Sequence, residues 1–183
     1  TAVMVPAAGA GILLAPEVVT VVLGEGWEDV VAPFQVLMGG LVFRTGYKIS
    51  DLLARATGTV YARAWRQAVF AVLIFAGAVL GTLGGVTGVA VGIVVALGAN
   101  YLLMAWLSIA TTGLSWSRFA FLHVRGCAIG GAFTFVVWVV TEGLRQAAAG
   151  PLITICGAMA AGLCSIGVAV ALVPRKVLGG DGL

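Results

Sequence analysis

Residues 30–56 read VVAPFQVLMGGLVFRTGYKISDLLARA. The stretch exceeds the roughly 20 apolar residues that a helix needs to cross the hydrocarbon core of a bilayer. Four ionisable side chains interrupt it, namely Arg44, Lys48, Asp51 and Arg55. At about 100° per residue these four positions fall within an arc of roughly 60°, which we call the charged face. Charge at bilayer depth is costly and usually meets a water-filled path or a partner, so the charged face is our first candidate for a functional site.

The composition of the whole chain is that of a membrane protein. Of its 183 residues 61% are hydrophobic and 9% are charged, whereas a soluble domain carries about 25% charged residues. We predict six apolar helices, at residues 3–23, 30–56, 60–83, 86–112, 119–141 and 151–173. Pro16 is expected to kink the first of them. The fold expected is an all-α integral membrane protein of about six transmembrane helices, with short loops that make neighbouring helices antiparallel.

Basic residues mark alternate ends of these predicted helices. They follow the second, fourth and sixth spans, as Arg55, Arg63, Arg66, Arg118, Arg125, Arg175 and Lys176. The connection after the first span instead holds Glu25, Glu28 and Asp29 and no basic residue. By the positive-inside rule the basic ends, and both termini of this segment, are predicted to be cytoplasmic.

Depth distinguishes the members of the charged face. Arg44 lies about 12 residues, or roughly 18 Å, from the predicted cytoplasmic end of its helix. Asp51 is spaced to pair with Lys48 or Arg55, which leaves Arg44 without a carboxylate one turn away. One interpretation is that Arg44 and Lys48 line a cavity and bind an anionic substrate, since arginine suits bidentate phosphate contact. The structural alternative is that Arg44 pairs with a carboxylate of another helix, for which Glu17 is a candidate.

Two other polar residues lie inside apolar spans. Glu17 is expected to be protonated, paired with Arg44, part of a proton or cation path, or bent toward the interface by the kink at Pro16. Asn100 ends a row of small residues that predicts a tight seam between helices. We expect an interhelical hydrogen bond from Asn100, with cavity lining as the alternative. The row comprises Gly84, Gly88, Gly92 and Ala96, and Gly126 and Gly130 begin a second row.

The sequence gives no sign of catalytic or metal chemistry. Cys127, Cys156 and Cys164 have no CxxC spacing, and we expect them to be small packing residues. His123, the single histidine of the sequence, is expected at the membrane interface. We therefore predict no catalytic residue, no metal and no cofactor, and the net charge of +3 is too small to indicate a nucleic-acid partner.

Three runs of sequence resemble a known family. They are APEVV at 15–19, VLGEGW at 22–27 and APFQVL at 32–37. They resemble the polysaccharide-transporter branch of the multidrug/oligosaccharidyl-lipid/polysaccharide exporter superfamily, in which an APE-(V/L)…LG-x-x-W…P-x-x-x-L run is frequent. The chain departs from the family's "A-x-G" turn with its following basic residue, because ATGT at 56–59 delays that residue to Arg63.

The resemblance implies a two-lobed helical transporter that works by alternating access. Its substrate would be an undecaprenyl-diphosphate-linked oligosaccharide, moved across the bacterial inner membrane among membrane lipids, with coupling to protons or sodium. The chain would be the C-terminal part, without the N-terminal lobe, and would not be an enzyme. Two alternatives stay open. One is a membrane-embedded polysaccharide polymerase or glycosyltransferase, which the short external loops disfavour, and the other is a non-transporting scaffold, which predicts a charged face neutralised inside the bundle.

Overall fold

A computed structural model describes residues 4–113 and 115–172, apart from the side chains at 49, 122 and 166–172. The regular structure of this part of the chain is helical throughout, so the all-α expectation is confirmed there. The helices are α1 (Met4–Leu13), α2 (Ala15–Leu23), α3 (Val31–Ala56), α4 (Val60–Gly81), α5 (Gly85–Thr112), α6 (Trp116–Gln146) and α7 (Pro151–Leu172). Short 3₁₀ turns at Glu28–Val30 and Thr82–Gly84 join some of them. Part of the helix and topology predictions depends on residues 1–3, residue 173, Arg175 and Lys176. These lie outside the described residues.

Among the described residues, two helical segments are long and apolar enough to cross a membrane, Val60–Thr112 and Trp116–Gln146, and the bent pair α1–α2 is a third if it counts as one span. The first of these segments is folded back on itself as α4 and α5. A methyl group on Gly77 would lie 2.6 Å from the carbonyl oxygen of Gly92, and one on Gly81 would lie 2.5 Å from that of Gly88. These pairings require two antiparallel helices with touching backbones.

The first predicted span differs from the structure in its continuity. It consists of two helices, α1 and α2, that meet at Leu14 with a bend of 65°. Proline at position 16 has no backbone N–H, so the carbonyl of Ile12 loses its intrahelical partner there. The kink expected at Pro16 is therefore a full break, located two residues earlier.

The fifth predicted span is too short. Residues 142–146, which we expected to lie in a loop, form the last turn of α6. Arg145 in that turn is placed favourably, because a basic side chain near a helix C-terminus interacts well with the helix dipole. Arg145 is thereby held on a rigid element.

The helices pack as two groups. One consists of α3, α4 and α5, and the other of α1, α2, α6 and α7, with α1 also against α3. Within them α3 runs parallel to α5, since Gly40 meets Val94 while Gly46 meets Tyr101. With α1 and α2 counted as one bent unit, helix directions alternate along the described chain, and this brings most like charges to the same end. One end collects Arg55, Arg63, Arg66, Arg118 and Arg125, and the opposite end collects Glu25, Glu28, Asp29 and Glu142.

The predicted row of small residues is shorter than expected. Gly88 and Gly92 lie directly against the backbone of α4, but Gly84 lies in the turn, where a methyl group added to it would have no atom within 4 Å. The seam therefore begins at Gly88. Gly130, in the second predicted row, packs against Val5 and Pro6 of α1.

The expectation for the cysteines is wrong. All three, Cys127, Cys156 and Cys164, are exposed and free rather than packed in the interior. Helix periodicity alone does not reveal which face of a uniformly apolar helix is covered.

Candidate substrate-binding site

Arg44 and Lys48 lie one turn apart on α3, and both are exposed. Neither takes part in an ion pair or a side-chain hydrogen bond with any other described residue. The other two members of the charged face, Asp51 and Arg55, are paired with each other. The two cations that the sequence assigns to substrate binding are thus without internal countercharge in the described part of the bundle.

Asp51 joins the end of α3 to the start of α4. Its carboxylate accepts from Arg55, at 2.9 Å from Nη2 and 3.0 Å from Nε. It also accepts from Arg63 of α4, at 3.3 Å from Nη2 and through a closer contact from Nε. Of the two partners predicted for Asp51, Arg55 is present and Lys48 is not. Arg63 was missed because its partner lies 12 residues away on another helix.

Glu17 is buried, with 8% of the residue exposed, and its partner is Arg145. Arg145 donates from Nε to Oε1 at 2.6 Å and from Nη2 to Oε2 at 2.9 Å. The alternative of an Arg44–Glu17 pair is therefore wrong. Because α1 and α6 run side by side in the same direction, the last turn of α6 reaches the first turn of α2.

The same contacts satisfy the helix break. Nη2 of Arg145 also donates to the carbonyl oxygen of Leu13 at 2.8 Å, and Nε2 of Gln35 donates to that of Ile12 at 2.9 Å. Two carbonyls freed by the break are thus capped by α6 and α3, one from each helix group. Gln35 stands in the run 32–37 that carries the family resemblance, but nothing in the sequence assigned it this role.

Asn100 is fully buried, and neither atom of its amide has a hydrogen-bond partner among the described residues. The interhelical hydrogen bond expected for it is therefore not seen there. Its neighbours in α5 contact both adjoining helices, since Tyr101 touches Phe43 of α3 and the carbonyl of Leu103 accepts from Arg66 of α4.

A cavity of about 310 Å³ lies on a different side of α3 from Arg44 and Lys48. Helices α1, α3, α5 and α6 enclose it toward the basic end. Its lining is largely aromatic and hydroxylic, with Phe43, Thr45, Ser50, Tyr101, Phe119, His123 and Cys127 among its residues. His123 is half-buried in this wall.

Among the described residues, no three His, Cys, Asp or Glu side chains lie close enough together to hold a metal ion. No family model, curated protein or solved structure matches the chain. The charges and cavities of the molecule itself are therefore the guide to its function.

Proposed function

We propose that the chain belongs to a bacterial inner-membrane transporter that moves a lipid-linked oligosaccharide or polysaccharide precursor by alternating access. The observation that carries this proposal is the state of Arg44 and Lys48. They are exposed cations on a largely apolar helix, with no carboxylate partner among the described residues. An anionic diphosphate group supplies the missing countercharge.

The contrast with the other ion pairs supports a ligand-binding role over a scaffold. Glu17 and Asp51 are the carboxylates nearest the apolar interior, and arginines of the bundle already bind both. A scaffold would neutralise Arg44 and Lys48 in the same way, because unpaired charge in a low-dielectric setting is costly. The same pairing disfavours the polymerase or glycosyltransferase alternative, since neither carboxylate is free to act as a general acid or base.

The membrane topology belongs to the same proposal. We place six spans across the inner membrane, with α1 and α2 as one bent span and α4 and α5 as two. The basic end, with Arg63 and Arg118, then faces the cytoplasm, and the acidic end with Glu28 faces outward. In this orientation Lys48 lies on the cytoplasmic side of Arg44, where a substrate made in the cytoplasm enters.

Alternating access requires parts that move against each other, and the helix break supports it. Broken helices at the centre of transporter repeats expose backbone groups that side chains, ions or substrates satisfy. Here Gln35 and Arg145 satisfy the break between α1 and α2 from two different groups of helices. A change in the packing of either group is therefore transmitted to the bend.

The experiment is Arg44→Ala in the full-length protein, with export of the glycan and the amount of protein in the membrane measured together. We expect export to be lost at a normal protein level, because removing a charge-assisted phosphate contact costs about 1.5–3 kcal/mol of binding. Lys48→Ala should reduce export as well, and Arg44→Lys should retain part of it.

Arg55→Ala is the matched control, since Arg55 lies on the same helix but is already bound to Asp51. It should affect export much less than Arg44→Ala. Export at the wild-type rate by the Arg44→Ala protein would remove the charged face from the mechanism.

A further inference from the structure

Two hydroxyl groups in the cavity beside α3 are available to a ligand. Threonines in these helices usually donate to a backbone carbonyl three or four residues earlier, as Thr134 and Thr154 do. Thr45 and Ser50 line the cavity and make no hydrogen bond with any described residue. Unused hydroxyls on a cavity wall are the polar groups that orient a ligand in a mostly apolar site.

The opposite wall presents a fixed polar pair. Nδ1 of His123 lies 2.8 Å from the carbonyl oxygen of Phe119, so Nδ1 carries the proton and donates it there. Nε2 is then the acceptor, and it receives the hydroxyl proton of Tyr101 at 2.5 Å. The Tyr101 oxygen keeps a lone pair free to accept a hydrogen bond from a ligand.

Aromatic rings form a continuous surface around this pair. The centroids of Phe119 and His123 are 4.3 Å apart, and those of Tyr101 and Phe43 are 6.0 Å apart. Faces of such rings are negative and attract the weakly positive C–H groups of an apolar surface. An occupant with both C–H faces and hydroxyl groups therefore matches the cavity better than a hydrocarbon chain, which would leave Thr45 and Ser50 unpaired.

The cavity and the charged face share α3. Thr45 follows Arg44 directly in sequence, but the two side chains serve different surfaces, since Thr45 lines the cavity and Arg44 does not. A ligand that uses both surfaces would place its diphosphate against Arg44 and Lys48 and the group attached to that diphosphate in the cavity. In a lipid-linked glycan this group is a sugar ring.

We infer that this cavity is a subsite for the diphosphate-linked sugar ring, with Thr45, Ser50 and Tyr101 as hydrogen-bonding residues and the aromatic wall as its stacking surface. The inference rests on the proposed function, because it assigns one part of that substrate to one cavity. It adds a specificity site separate from the phosphate contacts.

Cys127 provides the test, since it lines the same cavity and its thiol is exposed. In a full-length protein with Cys127 as its single cysteine, the rate of maleimide labelling is measured with undecaprenyl diphosphate and with undecaprenyl diphosphate carrying one hexose. Retention of each lipid by the protein is measured in parallel. At about ten times its dissociation constant, the glycosylated lipid should slow labelling roughly tenfold, and the bare lipid should not.

Ser50→Ala and Thr45→Val should weaken protection by the glycosylated lipid while retention through Arg44 and Lys48 persists. Thr20→Val is the control, because Thr20 is bonded to its own helix far from the cavity. Equal protection by both lipids, or retention of both without protection, would overturn the sugar subsite and leave the proposed function standing. Failure of the protein to retain either lipid would overturn the proposed function and the subsite with it.

Discussion

Among individual residues, the arginines of this chain differ in what surrounds them and not in their chemistry. Arg145 makes two hydrogen bonds to a buried carboxylate and one to a freed carbonyl. Arg44 makes none within the described residues. Their contrast follows from position, because the bent α1–α2 pair supplies oxygen acceptors to the end of α6, whereas the exposed side of α3 offers no acceptor to Arg44.

Replacing Arg145 by alanine should lower the free energy of unfolding. The change leaves the carboxylate of Glu17 buried without a partner and the carbonyl of Leu13 unsatisfied. Because the Arg145 side chain is 36% exposed, we expect a loss of only about 1–2 kcal/mol. The measurement is thermal unfolding of the purified protein in detergent.

Glu17→Gln combined with Arg145→Ala should recover part of that stability, since the buried charge is then gone. Arg125→Ala supplies the control on the same helix, because Arg125 is exposed and has no ion-pair partner among the described residues. If Arg145→Ala proved no less stable than Arg125→Ala, the ion pair would have no structural role.

Among the helices, backbone proximity sets the geometry of the α4–α5 hairpin. Glycines at 77, 81, 88 and 92 face one another across it, so that carbonyl oxygens occupy the space of missing methyl groups. In a membrane, small residues allow this approach and the van der Waals contact that it brings. The hairpin in turn positions Arg63 and Arg66 of α4 beside α3 and α5.

Gly92→Ala should therefore destabilise the protein by about 1–3 kcal/mol, as overpacking of a close contact does. The new methyl group would overlap the carbonyl of Gly77, and only separation of the two helices relieves the clash. Gly131→Ala in α6 is the control, because no atom lies within 4 Å of its added methyl group. The difference in melting temperature between these two variants is the measurement, and a difference of zero would contradict the close seam.

Across the bundle as a whole, alternating helix directions separate the charges. Apart from the bend at Leu14, each connection between described helices reverses the chain, so most basic residues meet at one end and most acidic residues at the other. Arg145 and Asp51 are exceptions, and each is held in an ion pair at the end of opposite charge. Two groups of helices result, joined where α1 packs against α3. The candidate subsite lies where helices of both groups enclose a cavity, which is where relative movement of the groups would change its shape.

The proposed orientation predicts opposite accessibility of the two ends in intact cells. The Glu28→Cys protein should react with a membrane-impermeant thiol reagent added outside, and the Thr57→Cys protein should react only after the membrane is opened. A reporter fused after Leu183 should read as cytoplasmic. Labelling of both variants from the same side would rule out the alternating arrangement across the membrane.

The helical class and the approximate extent of the helices could be predicted from the sequence, because apolar composition and length are local properties. The residues Arg44, Lys48, Asp51, Arg55, Glu17 and Asn100 also stood out, since polar residues are conspicuous in apolar spans. The pairing of Asp51 with Arg55 was also predictable, because the two lie one helical turn apart.

The other partners became visible only once the helices were packed. Glu17 and Arg145 are 128 positions apart, and Gln35 reaches a carbonyl that is free only because α1 and α2 break. The aromatic cavity likewise combines residues from four helices. Packing, and not periodicity, decides which faces of uniformly apolar helices meet. For that reason the folded chain alone shows which cations are paired, as Arg145 is, and which have no partner among the described residues, as is the case for Arg44.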